Sequence, residues 1–150
     1  MVASATRCCL DHHTDGTVLS GPSDAFVARV DTDASAQPSS RLLHALGGAS
    51  DDPGNAVAVD AIGTVHVTGQ TFGGFPVTPD AFQLPPGGGG DAFVPRLNTN
   101  ANDRAALISA SCLGGSGTDQ GNGIALSGGE ASSLAEGLPS VSEPLTAIDI

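Results

Sequence analysis

Short apolar runs punctuated by glycine, proline and asparagine set the rhythm of this chain. Ala56-Val-Ala-Val-Asp60 and Thr64-Val-His-Val-Thr68 are rich in β-branched residues, and the Ala-Ile-Gly between them is a hairpin signal. A loop from Gly69 to Gly90 follows, interrupted by Pro76, Pro79, Pro85 and Pro86 and closed by the glycine run Gly87–Gly90. Ala92-Phe-Val-Pro-Arg-Leu97 predicts a third strand and Ala106–Leu113 a fourth. The intervening Asn98-Thr-Asn-Ala-Asn102 has the residues of turns. Gly114-Gly-Ser-Gly117 then leads toward a new first strand at Gly123–Leu126.

The pattern recurs at an offset of 67. Asp24-Ala-Phe-Val27 falls on Asp91-Ala-Phe-Val94, and Leu46-Gly-Gly48 on Leu113-Gly-Gly115. Asp52, Gly54, Asn55 and Ala58 likewise fall on Asp119, Gly121, Asn122 and Ala125, and 14 of 37 aligned positions agree without a gap. One long period of this kind indicates repeat architecture. Four antiparallel strands per period predict an all-β fold built of four-stranded blades of a β-propeller, incomplete at about two blades. The repeat covers 23–127. Residues 1–22 match nothing in it and are expected to form a flexible leader, and 128–150 a degenerate or disordered tail. Gly137 to Thr146 echoes Gly69 to Thr78 only weakly, at an offset of 68.

Four phrases stand in a fixed order: LGGASDDPGNAVAVD at 46–60, VHVTG at 65–69, FPVTPDAFQ at 75–83 and GGGGDAFVPRL at 87–97. Together they resemble the seven-bladed β-propeller repeat (SBBP repeat) of bacterial and archaeal secreted and surface proteins, over about two-thirds of the chain. The resemblance implies an extracellular or cell-surface location. The chain departs from that repeat where His66 replaces the usual Tyr and where the strands before Leu46-Gly-Gly48 and Leu113-Gly-Gly115 lack one. Each lost ring removes about 150–250 Å² of surface that could be buried.

Composition narrows the function. Sixteen carboxylates oppose five cationic side chains, for a net charge of −11, and there is no Trp or Tyr. Such a surface repels nucleic acid and anionic membranes, and stacking platforms for bases or sugars are missing. Cys8, Cys9 and Cys112, odd in number with two adjacent, are not a disulfide framework. The N-terminal stretch lacks an apolar core for a signal peptide, and no stretch approaches the roughly 20 apolar residues of a membrane span.

Candidate chemistry is sparse. Asp51, Asp52, Asp60 and Asp119 lie in or near glycine-rich turns and are calcium candidates, because carboxylate and carbonyl oxygens suit that ion. Asp and Asn also brace turns through their own backbone, and that structural use competes with the calcium reading. Asp31-x-Asp33-x-Ser35 and Asn98-x-Asn100-x-Asn102 open like calcium loops, but Ala36 and Leu42 stand where the first would need Gly and Glu. Cys8, Cys9, Asp11, His12, His13 and Asp15 have ligand chemistry without ligand spacing. Gly87–Gly90 lacks the Lys-Ser/Thr of a phosphate loop, Ser116 lacks a nucleophile elbow, and His44 and His66 read as strand residues rather than bases.

The expectation is therefore a non-catalytic repeat segment with a structural or interaction-mediating role, without a cofactor. Its partners are neighbouring blades, supplied by a longer chain or by self-association. The alternative is a Ca²⁺-dependent extracellular binding module. One local expectation is sharp: Pro95 occupies the place of Ala28 on a strand paired on both sides, and with no N–H to donate it predicts a bulge or a missing rung.

Overall fold

The structure is a computed structural model describing residues 2–4, 21–31, 39–84, 86–101, 106–127, 130–137 and 148–149. Among the described residues it is all-β, with ten strands in three antiparallel sheets and no α-helix. The central sheet joins β4 (Gly54–Val59), β5 (Thr64–Thr71), β6 (Asp91–Asn98) and β7 (Leu107–Leu113) in sequence order. On one side lies the sheet of β1 (Val2–Ser4), β2 (Ala25–Asp31) and β3 (Ser39–Leu46). On the other lies that of β8 (Asp119–Ser127), β9 (Glu130–Gly137) and β10 (Ile148–Asp149).

The β4–β5 hairpin forms where the β-branched runs meet their turn. Asp60 N donates to Thr64 O at 3.0 Å and Gly63 N to Asp60 O at 3.1 Å, while Gly63 takes φ +90°. That backbone region costs a side-chain-bearing residue but not glycine. Asp60 Oδ1 braces the turn further, accepting from Thr64 N at 2.7 Å and Ile62 N at 3.0 Å. β5 is buried along its whole length, because sheets cover both its faces.

The sequence period is present in the backbone. Ala25↔Leu46, Phe26↔Ala45 and Val27↔His44 between β2 and β3 become Ala92↔Leu113, Phe93↔Cys112 and Val94↔Ser111 between β6 and β7. The β4–β5 ladder slips between Gly54 and Ala56, and the β8–β9 ladder slips at the matching place, between Gly121 and Gly123. Contacts between sheets recur as well. Asp52 N donates to Ser23 O at 2.7 Å, and Asp119 N to Gly90 O at 2.7 Å.

At Pro95 the expected defect is found on one side. β5 and β6 pair at His66↔Arg96 and next at Gly69↔Phe93, so the rungs opposite Val94 and Pro95 are missing. On the β7 side Pro95 pairs with Ala110, and the slip comes later, between Arg96 and Leu97. The strand order within the sheet is the one read from the sequence.

The main core lies between the first and central sheets. Ala25, Val27 and Leu46 pack with Val65, Val67, Phe75, Phe93, Leu97 and Ala110. The rings of Phe93 and Phe75 stack with centroids 4.3 Å apart. On the opposite face of the central sheet Ala92, Val94 and Leu113 are buried, with Ile124 of β8 packed against them. Phe26 and Phe93, one period apart in the sequence, differ in cover. Phe93 is fully buried, whereas Phe26 is only half-buried.

The long loop after β5 folds back along the outer edge of β7. Thr78 N donates to Ala110 O at 3.1 Å, Ala110 N to Thr78 Oγ1 at 3.1 Å, and Cys112 N to Gln83 O at 3.3 Å. Gln83 Nε2 also reaches Asp91 Oδ2 at 2.9 Å. An edge strand's unpaired groups would otherwise template aggregation, so this proline-rich cover has a purpose. The loop's closing glycines lie against residues 115–117: a Cβ on Gly88 would sit 2.4 Å from Gly117 O.

Two regions differ from, or lie beyond, the sequence reading. Strand pairing continues past residue 127 into β9, and β9 sets Ala135, not Gly137, in the place of Gly69. Beyond Gly137, the echo through Thr146 lies outside the described residues.

Candidate functional site

The four calcium candidates are distributed rather than gathered. Asp60 sits in the β4–β5 turn described above. Asp51 is exposed and accepts from the Ser23 hydroxyl at 2.5 Å. Asp52 is fully buried, its Oδ2 accepting from Gly48 N at 2.6 Å. Asp119, one repeat later, accepts from Gly115 N at 2.9 Å. Asp91 makes the same bond with Gly87 N at 2.6 Å. The recurring pattern is an aspartate tying down the amide four residues before it, which braces a glycine turn.

These turns bring carboxylates into pairs. Asp24 lies by Asp52 at the first junction between sheets, and Asp91 lies by Asp119 at the second, with Gly114 wedged between the latter two. A Cβ on Gly114 would come within 2.5 Å of Asp91 Oδ1 and 2.9 Å of Asp119 Oδ2. Burial pushes the Asp52 carboxyl above its ordinary value; bonds from Gly48 and Thr71 oppose this, and the Asp24 and Asp51 charges add to it. Among the described residues no group of three or more His, Cys, Asp or Glu side chains is placed to hold a metal ion.

The remaining sequence candidates fall elsewhere. Cys8, Cys9, Asp11, His12, His13 and Asp15 lie outside the described residues, as do Asp33 and Ser35. Asn98 uses its side-chain oxygen to accept from Asn100 N at 3.0 Å, a local turn bond. Ser116 is exposed, and Cys112 is buried with its thiol pushed up to about 11 by burial and by the charges of Asp91 and Asp52.

A cavity of about 200 Å³ lies between the long loop and the face of β5, β6 and β7, lined by His66, Thr78, Asp80, Phe82, Val94, Arg96, Ser109 and Ser111 among others. His66 is 1 % exposed, and neither ring nitrogen has a hydrogen-bond partner; Asp60 Oδ2 is 3.8 Å from Nε2. Burial holds its pKa below the ordinary value, Arg96 reinforces this, and Asp60 opposes it. Arg96 Nε is buried and also lacks a partner.

Chemically this is a polar recess without an assembled nucleophile. The Ser111 hydroxyl is committed to Cys112 O at 2.9 Å and Gln83 N at 3.1 Å, and Thr78 Oγ1 to Ala110. His66, which reads from the sequence as a packing or surface residue of a strand, is buried within β5. The rest of the lining escapes that reading, because only the folding back of the loop brings Thr78 and Asp80 to Arg96. Compared with known protein families, curated proteins and solved structures, the chain matches none.

Proposed function

We propose that this chain is a β-propeller-type repeat segment whose role is structural: it presents sheets that stack on one another and on neighbouring blades. The observation that carries this reading is the junction built twice, Asp52 N to Ser23 O and Asp119 N to Gly90 O. A sheet that meets the next one through the same backbone contact, one period later, is a unit of an array. In this reading β4–β7 is one whole blade, β2–β3 the last two strands of the blade before it, and β8–β9 the first two of the blade after it. The four ordered phrases shared with the SBBP repeat support the same view and suggest an extracellular setting.

The phrases acquire physical roles in this scheme. Phe75 of FPVTPDAFQ fills the core against Phe93, while Thr78 and Gln83 seal the β7 edge. None of these residues is arranged around a reacting centre, which is why a structural role is favoured over an enzyme.

The test is modular. Duplicating residues 54–120 within the chain adds one period, and in an array each added interface stabilises its neighbours. The urea midpoint of the extended chain is expected to rise. A midpoint that is unchanged or lower would contradict the reading.

A further inference from the structure

Arg96 and Asp80 line one recess, between the long loop and the central sheet, yet among the described residues they form no ion pair with each other. We propose that this recess binds a small zwitterion of the amino-acid type, with its carboxylate on Arg96, its ammonium on Asp80 and an apolar side chain between Val94 and Phe82. The site needs only the central sheet and its loop, so it stands independently of the array reading.

The sheet wall follows from strand register. Residues directly opposite one another on antiparallel neighbours share a face. His66 of β5 stands opposite Arg96 of β6, and Arg96 opposite Ser109 of β7. All three line the recess, and Val94, two residues before Arg96, shares their face. Arg96 Nε and both ring nitrogens of His66 are buried without a hydrogen-bond partner among the described residues. A buried donor left unpaired costs free energy, which a bound acceptor recovers. The guanidinium fork matches the two oxygens of a carboxylate, and half-buried Ser109 offers a hydroxyl beside it.

The other wall is a short arch of the loop, held at both ends. Thr78 N donates to Ala110 O at 3.1 Å, and Gln83 N to Ser111 Oγ at 3.1 Å. Between these anchors Ala81 N donates to Thr78 O at 3.0 Å, closing a turn that carries Asp80 and Phe82. Both residues are exposed, Phe82 at 78 %, so the rim presents a carboxylate and an aromatic ring. A bond from Thr78 holds the Asp80 carboxyl below its ordinary value, which keeps it charged at neutral pH. An arch already anchored loses little freedom when a ligand seats against it.

Charge selects the class of ligand. A chain of net charge −11 repels anions, and Asp80 adds to that repulsion at the recess itself. A zwitterion carries no net charge and meets both Arg96 and Asp80. At about 200 Å³ the recess is smaller than the roughly 300–1,000 Å³ of drug-sized pockets, which limits the ligand to a small molecule.

Nuclear magnetic resonance titration of the labelled full chain tests this with three probes. They are L-leucine, isocaproate, which lacks the ammonium, and isoamylamine, which lacks the carboxylate. L-Leucine is expected to shift the Arg96 and Ser109 amides saturably, with a midpoint below about 10 mM. The other two should bind at least about tenfold more weakly, each having lost one charge-assisted bond. Asp80→Asn, on the exposed arch, should abolish the preference for L-leucine over isocaproate, and Arg96→Gln the preference over isoamylamine. A merely structural change would weaken all three probes alike and leave the preferences standing, which would overturn the proposal. So would the absence of a saturable shift, or binding of isocaproate or inorganic phosphate as tight as that of L-leucine.

Discussion

Phe93 is the side chain on which the junction between the first and central sheets depends most. It is fully buried, stacks on Phe75 at 4.3 Å, and packs in the cluster that holds Ala25, Val27 and Leu46. Truncation to alanine removes the ring's transfer free energy and leaves a cavity that a two-sided sheet cannot close by sliding. Such Phe→Ala changes cost about 3–5 kcal/mol. The lost stack, itself worth about 0.5–1.5 kcal/mol, lies within that total. Against a total stability of about 5–15 kcal/mol, this is a large fraction. At roughly 2–4 °C per kcal/mol for a chain of this length, Phe93→Ala should lower Tm by about 6–20 °C. Phe26→Ala, at the equivalent but half-buried position, should cost less than half as much where the chain is monomeric. With neither Trp nor Tyr in the chain, fluorescence is a poor probe, so urea and thermal unfolding are followed by far-ultraviolet circular dichroism. A Phe93→Ala cost below about 0.5 kcal/mol, the range of ordinary surface changes, would refute the reasoning.

Three further outcomes follow from the junctions. Gly114→Ala forces a Cβ against Asp91 and should cost about 1–3 kcal/mol, whereas Gly115→Ala meets nothing within 4 Å and should stay within about 0.5 kcal/mol; equal midpoints for the two variants would contradict the packing. Asp52 has a folded pKa above its ordinary 3.8, so its ionisation destabilises the fold progressively as pH rises from that value through the folded one. The stability difference between Asp52→Asn and the parent should accordingly shift in the variant's favour as pH rises above 3.8; thermal melts showing a flat or opposite trend would contradict it. Cys112, fully buried with its thiol raised to about 11, should resist iodoacetamide until urea unfolds the chain, as read by peptide mass spectrometry.

The strands of the central sheet were legible because β-branched runs and turn residues alternate there without conflict. Thr64–Thr68 and Ala92–Leu97 fall inside β5 and β6, and the same period is visible in both sequence and register. β9 was not legible. Glu130–Gly137 contains no Val, Ile or Thr, so its strand form comes from pairing with β8 rather than from its own preferences. The cavity was hidden for a different reason: its lining draws on a loop and three strands whose meeting depends on Thr78 and Gln83 binding the edge of β7. The turn positions of Asp52 and Asp119 are legible in the sequence, but spacing alone does not show that their oxygens accept the amides of Gly48 and Gly115.

The central claim is that one junction is built twice, once in each copy of the repeat. Scalar couplings across hydrogen bonds, measured by nuclear magnetic resonance on labelled protein, address it without mutation. Couplings are expected from Asp52 N to the Ser23 carbonyl carbon and from Asp119 N to that of Gly90, corresponding to the two 2.7 Å bonds. Detection of both establishes the repeated junction. Both amides resolved and protected from exchange, with coupling at only one junction or at neither, would contradict it.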